Sequence, residues 1–298
     1  MKTIQVKGMS KSVGGKNWQG LLSSDEAKVE VAGIPPAKAA FGVQEWASHS
    51  MNFQTGCSRN CRYCYAKSMA IRFKRATAES WVQQIIDLKK VNKRQRKMDG
   101  RIMFPTTHDI TGANIEESLV VLRNMLDAGN EVLIVSKPSP VCIQKICDAF
   151  ADKKSQILFR FSIGSTNNKT IKYWEPNAPS FGARLAALRY AFEQGFSTSV
   201  SCEPMLDKNI WKVVDKVLPY VTDAVWLGRV NKLRQNISLN CPGDLEAKNA
   251  ANRLLAKQTD EWLRELYQRY CGNPKVKFKD SIKQAIGLKR PMKAGLDV

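Results

Sequence analysis

Gly56-Cys-Ser-Arg-Asn-Cys-Arg-Tyr-Cys-Tyr-Ala66 places Cys57, Cys61 and Cys64 in a Cys-x3-Cys-x2-Cys spacing. Cysteine thiolates are the usual ligands of iron–sulfur clusters, so three of them can grip three irons of a four-iron cluster. One iron is then left open to a small molecule, as the metal is in a catalytic rather than a structural zinc site. A zinc knuckle borrowing a fourth ligand, or three packing thiols, would use the same residues. Knuckles usually pair two Cys-x2-Cys or Cys/His clusters, and the sequence holds no second one.

Outward from this stretch, strands alternate with helices. The pattern predicts a strand at Ser50–Thr55 that delivers the cysteines, then a helix over Ala78–Val91, with Trp81, Val82, Ile85, Ile86 and Leu88 at helical spacing. Further strands are expected at Arg101–Pro105, Glu131–Ser136, Gln156–Ile163, Phe196–Cys202 and Ala224–Leu227, and further helices at Ile115–Ala128, Val141–Phe150, Phe181–Gln194 and Ile210–Leu218. Such alternation implies a parallel α/β sheet. Six units predict a partial (β/α)6 TIM-type barrel, open on one side, over residues 46–230. Residues 1–45 read as an N-terminal extension with turns at Val13–Lys16 and Gly33–Pro36 and a short strand at Val29–Val31. Residues 231–298 read as a C-terminal helical extension: a long helix at Asp244–Tyr270, then a short strand and helix within Lys275–Gly287. Function in such barrels sits at the C-terminal strand ends, which selects Cys57–Tyr65, Thr106–Gly112, Lys137, Ser162, Glu203 and Arg229.

The chain of 298 residues carries a formal charge of +20. Residues 59–101 alone hold 13 Lys and Arg against Glu79, Asp87 and Asp99. Concentrated positive charge favours a polyanion, because counterion release drives phosphate binding; a solvated face is the rival. Eight cysteines would suit a secreted disulfide framework, but the first 20 residues lack a signal peptide's apolar core. A reduced, cytoplasmic setting is expected. No apolar run is long enough to span a bilayer.

The cysteine spacing, with an aromatic residue before the third cysteine, resembles the radical S-adenosylmethionine (SAM) enzymes. Within them, four loops resemble the spore photoproduct lyase group over roughly residues 50–205. Cys61-Arg-Tyr-Cys-Tyr65 is similar to its Cys-x-Tyr-Cys-Tyr, and Thr106-Thr-His-Asp-Ile-Thr-Gly112 to its Cys-Thr-Ser-Asp-Ile-Val-Gly. Val135-Ser-Lys137 is similar to Val-Thr-Lys, and Phe159-Arg-Phe-Ser-Ile163, followed by Tyr173-Trp-Glu-Pro-Asn177 and Arg184, to Arg-Phe-Ser-Ile, Phe-Glu-Pro-Gly and an Arg. The resemblance implies a 4Fe-4S cluster on Cys57, Cys61 and Cys64, with SAM on the open iron and cleaved reductively to a 5′-deoxyadenosyl radical. It implies that Lys137 contacts the SAM carboxylate, that Ser162 lies against the same cofactor, that Tyr65 lies near cluster and cofactor, and that His108 replaces a cofactor-touching serine.

One position departs from the pattern. The family's cysteine that returns a hydrogen atom to the thymine radical is Thr106 here, and an alcohol O–H bond is too strong for that task. Cys202, Tyr63 or Tyr65 could donate instead, or the substrate radical could rearrange. Photoproduct repair is therefore not the expected reaction; hydrogen abstraction from a nucleic-acid base or modified base is, on DNA rather than RNA, with flavodoxin or ferredoxin as electron donor. Two rivals stand beside it. One is a radical SAM enzyme, such as an aminomutase, acting on a free amino acid or small metabolite; the other is a non-catalytic Fe–S or Zn nucleic-acid binder.

Single residues carry alternatives. His108 beside Asp109 suits a functional loop, with Asp109 either orienting the imidazole or capping the next helix. Cys202 divides between core packing and catalysis, and Glu203 between cofactor ribose or substrate amine and an internal salt bridge. Cys142 and Cys147 read as packing thiols, His49 as structural, and Trp174 and Trp226 as core aromatics that could alternatively stack on a base. Arg229-Val-Asn231 is a candidate for a carboxylate or phosphate.

Overall fold

The computed structural model describes residues 42–290. The turns and strand expected at 13–16, 29–31 and 33–36 lie outside the described residues. Strand β1 (His49–Ser50) leads towards the cysteine loop, and β2 (Gln54–Thr55) pairs antiparallel with β3 (Ile85–Ile86). Then follow β4 (Ile102–Phe104), β5 (Val132–Ser136), β6 (Ile157–Ser162), β7 (Ser197–Cys202), β8 (Val225–Leu227) and β9 (Val276–Phe278). Seven of these strands form one parallel sheet in the order β1-β4-β5-β6-β7-β8-β9. The helices are α1 (Tyr65–Arg72), α2 (Leu88–Val91), α3 (Ile115–Asp127), α4 (Pro140–Ala149), α5 (Asn168–Trp174) and α6 (Phe181–Glu193). They continue as α7 (Trp211–Val217), α8 (Leu233–Asn240), α9 (Leu245–Ala256), α10 (Asp260–Tyr270) and α11 (Asp280–Ile286). None of the described helices is long and apolar enough to cross a membrane.

The strands are apolar on both faces because both are covered. Alternate residues such as Phe104, Ile134, Phe159 and Val200 join the main core with apolar side chains of α3, α4, α6 and α7. The intervening Met103, Leu133, Leu158 and Trp226 gather with Trp46 in a separate cluster, as a two-residue period requires. Arg160 stacks its guanidinium over Trp46 and Trp226 there and reaches Asp223 at 2.8 Å.

The sheet edges β1 and β9 are linked by charge. Lys279, just after β9, pairs with Glu45, just before β1, at 2.9 Å, and donates to the Gly42 carbonyl at 2.9 Å. The ammonium lies 3.8 Å from the Trp46 ring centroid, and both partners are fully buried. This pair does the joining that a closed barrel would leave to strand hydrogen bonds.

Four expectations need correction. The single strand at 50–55 divides in two, because β1 pairs with β4 while Gln54–Thr55 turns away to pair with β3. The helix at 78–91 is instead a 3-10 turn at Ser80–Val82, strand β3 and the short α2. The β-branched pair Ile85-Ile86 prefers an extended backbone, and Asp87 caps α2 by accepting from the Lys90 amide. The helix at 244–270 is broken because Thr259 caps α10 and the buried Gln258 donates to the Met205 carbonyl at 2.8 Å. Beyond the six expected units, β9 continues the sheet past residue 230.

Lys279→Met should lower stability by roughly 1–3 kcal/mol, because Glu45, which burial already raises to about 7, loses its cation and hydrogen-bond donor. Adding Glu45→Gln should recover most of the loss. Urea unfolding of both variants reads this, and an additive double variant would contradict the pairing.

Candidate active site

The cysteine loop has little regular structure, so its polar groups are satisfied from outside. Gly56 enters it with φ +86°, where a Cβ would sit 1.8 Å from the Gln83 carbonyl oxygen; only glycine fits. The Cys57 amide donates to the Trp81 carbonyl at 2.8 Å. Asn177, after α5, donates its side-chain amide to the Ser58 carbonyl at 2.8 Å. On α8, Asn240 donates to the carbonyls of Arg62 and Cys64, both at 2.9 Å, and Asn236 to that of Tyr63 at 3.1 Å. Cys64 is the N-cap of α1, its sulfur accepting from the Lys67 amide at 3.4 Å. That helix end favours negative charge on the sulfur.

Two ion pairs lock the loop to the strand ends. Arg59 Nε reaches Asp109 Oδ2 at 2.7 Å. Asp109 Oδ1 also accepts from Ser136 Oγ at 2.6 Å and from the Lys137 amide at 3.2 Å. Asp109 therefore neither orients His108 nor caps α3; it joins the cysteine loop to the end of β5. The second pair is Glu175 with Arg184, both buried, and the Tyr63 hydroxyl donates to the same carboxylate. Burial works against the Glu175 charge, yet Arg184 and Lys137 hold its carboxyl below the ordinary range.

Cys57, Cys61 and Cys64 line one cavity of about 590 Å3, together with Lys137, Ser162, His108 and Glu203. All three are free thiols, and burial raises each of them, Cys57 to about 11. Such thiols give up their protons to a metal rather than to solvent. Among the described residues, no group of three or more His, Cys, Asp or Glu stands gathered as a metal site. Burial opposes the Lys137 charge, but Cys61 and Glu175 outweigh it and hold the ammonium firmly protonated.

His108 is buried against Phe53 and Phe104, with both ring nitrogens unpartnered. Burial pushes it down to about 4, only partly opposed by Asp109, so the ring is neutral near pH 7. An unpartnered imidazole on a cavity wall suits a bound polar molecule. Glu203 packs against Gly228, where a Cβ would lie 2.9 Å from its Cβ and Cγ. Burial raises it, Lys279 opposing from 3.7 Å. Tyr65 stands half exposed at the cavity and donates its hydroxyl to the Thr106 carbonyl.

Other expected residues fall elsewhere. Cys202 is fully buried in the main core beside the outward-facing strand residues, because β7 turns Ser199 and Ser201 inward instead; Ser201 lines the cavity. Trp174 and Trp226 are buried core residues, and Arg229 pairs with Asp260 at 3.4 Å while Asn231 reaches the cavity. His49 donates from Nε2 to the Asp99 carbonyl at 2.8 Å. Sequence reasoning missed Asn52, whose Oδ1 accepts from the amides of Thr106 and Thr107 at 2.8 and 2.9 Å. It also missed Asn236 and Asn240, which no local motif signals.

A parallel α/β sheet carrying three thiols, a lysine and an unpartnered imidazole around one strand-end cavity defines an enzyme-type site. The radical SAM superfamily model matches residues 51–215, and the chain belongs to that superfamily. Membership implies SAM and an iron–sulfur cluster as cofactors, and the three thiols and Lys137 are the donor set such groups need. An uncharacterized protein, ORF301, of Acidianus two-tailed virus is 27% identical over 206 residues, covering 63% of this chain and 68% of that one. The uncharacterized protein MJ0683 of Methanocaldococcus jannaschii is 28% identical over 163 residues, covering 54% of this chain and 61% of that one. Among solved structures, spore photoproduct lyase complexed with dinucleoside spore photoproduct shares the fold with a TM-score of 0.52 at 17% identity. That match covers 82% of this chain and 79% of the lyase.

His108 gives the metal-free protein a defined pH response. Its folded pKa of about 4 lies below the ordinary 6.5, so the unfolded chain takes up a proton first as pH falls. Stability is retained above about 6.5 and lost towards about 4. His108→Phe should shrink the loss between pH 7.5 and 4.5 by roughly 2–3 kcal/mol. Urea unfolding at the two pH values measures it; identical losses in both proteins would contradict a buried neutral ring.

Proposed function

We propose that this protein abstracts a hydrogen atom from a nucleic-acid base or modified base, DNA being favoured over RNA. The observation carrying the reading is the cavity that gathers Cys57, Cys61, Cys64, Lys137 and Ser162 at the strand ends. When bound, a 4Fe-4S cluster and SAM supply a 5′-deoxyadenosyl radical. The chain's residues do the rest. The three thiols hold the cluster, and Lys137 offers a point charge to the SAM carboxylate. Ser162 and the neutral His108 offer hydrogen bonds to the same cofactor, and Glu203 suits its ribose hydroxyls. The basic excess at 59–101 and the fold shared with a lyase solved with a dinucleoside support the nucleic-acid substrate.

Tyr65 is the hydrogen donor on this reading. Its phenol sits against the Thr106 carbonyl at the cavity, where the lyase group's cysteine would be. Tyr63 is committed to Glu175, and Cys202 is enclosed by the core. The substrate carbon radical rearranges before Tyr65 gives it a hydrogen; the tyrosyl radical left behind is restored by an electron from flavodoxin or ferredoxin and a proton.

Anaerobic protein reconstituted with iron and sulfide should release 5′-deoxyadenosine from SAM on reduction. With DNA present and the cofactor deuterated at its 5′ carbon, mass spectrometry of the nucleosides should find an altered base that carries no deuterium, its returned hydrogen coming from Tyr65. Tyr65→Phe should keep 5′-deoxyadenosine release within about threefold while lowering the altered base at least tenfold. Release with no nucleoside altered in DNA or RNA would move the substrate to a free amino acid or small metabolite.

A further inference from the structure

Helix α1 begins at the cavity with Tyr65 and presents an unusual outer face. Its buried residues are Ala66, Lys67, Ser68 and Ala70. Its exposed side carries Tyr65, Met69 and, at the C-cap, Phe73, which are 50%, 42% and 55% exposed. Positions four apart stand one above the other on a helix, so the three make a continuous apolar stripe where polar residues are the norm. Eight residues at 1.5 Å each carry that stripe about 12 Å away from the cavity.

The far end of the stripe is strongly basic. Arg72, Lys74 and Arg75 surround Phe73, and Lys74 turns the chain there with φ +55°. The guanidiniums of Arg72 and Arg75 lie 5.8 and 5.5 Å from the Phe73 ring centroid. Among the described residues, these two contact that ring rather than a carboxylate. An exposed ring between unneutralised cations matches single-stranded nucleic acid, whose bases stack on aromatic faces while the phosphates follow positive charge. The exposed ring is what favours an unpaired strand over a duplex, whose bases are already stacked on one another.

We propose that Arg72, Phe73 and Arg75 form a clamp for the unpaired strand that delivers the reacting nucleotide, with Phe73 stacking on a neighbouring base and the two arginines on phosphates. Met69 and Tyr65 continue the track to the cavity. The clamp engages the strand about 12 Å from the nucleotide that reacts. The inference rests on the nucleic-acid reading and adds to it a strandedness and a docking surface.

The test is fluorescence anisotropy of a labelled single-stranded 20-mer of mixed sequence with the full-length chain across a range of salt concentrations. Phe73→Ala should weaken binding roughly 5- to 150-fold without changing the salt slope, and Phe73→Trp should restore it. Arg72→Ala with Arg75→Ala should reduce the slope of log affinity against log salt by about 1.4, or 0.7 per lost phosphate. Lys212→Ala with Lys216→Ala on α7 should leave the Phe73 dependence intact. Circular dichroism of each variant separates lost binding from lost folding. If the wild type binds steeply with salt and the α1 variants bind equally well, the clamp is wrong while the nucleic-acid reading stands. If the wild type binds no oligonucleotide at low salt, the nucleic-acid reading falls and the clamp with it. Variants that lose affinity for phosphatidylserine vesicles but not for the 20-mer would assign the stripe to a membrane surface and overturn the clamp.

Discussion

The ion pair between Arg59 and Asp109 is the constraint on which the site depends. It joins a loop with no regular structure to the C-terminal end of β5. Without it, the cysteines would still be close in sequence but not fixed relative to Lys137. Both partners are largely buried, so removing either leaves a charge without its counterpart, a loss of several kcal/mol in comparable settings. The remaining loop groups answer to α5, α8 and the turn before β3. A cradle built this way is set by its surroundings rather than by its own regular structure.

The same logic runs through the rest of the cavity. Glu175 links Arg184 to Tyr63 and so holds the chain beside Cys64. Lys279 serves two carboxylates, Glu45 at the sheet edge and Glu203 at the cavity. Fold closure and the cavity wall thus share one ammonium, and a change at the edge of the sheet reaches the site through it. Buried charges are costly, and each one here has an opposite charge beside it.

Much of this was legible in the sequence. The parallel sheet followed from apolar runs such as Val132–Val135 between amphipathic helices, and the site from reading only strand ends. Lys137, Ser162, Glu203 and His108 meet around the cysteines for that reason. What escaped was set by partners distant in sequence. Ile85-Ile86 reads as helix by spacing but is drawn into a pair with Gln54–Thr55. Asn236 and Asn240 look like ordinary polar helix residues until α8 packs on the cysteine loop. Cys202 stood at the right strand end, but one residue of strand phase turned it into the core.

The central claim is that Cys57, Cys61 and Cys64 hold a cluster that keeps one iron open for SAM. Electron paramagnetic resonance of the anaerobically reconstituted, reduced protein tests it most directly, with and without SAM labelled with 15N at its amino group. The account predicts close to four irons per chain, a reduced-cluster signal that shifts when SAM is added, and 15N hyperfine coupling from the bound amine. A signal indifferent to SAM, or tight zinc binding in place of iron, would contradict it.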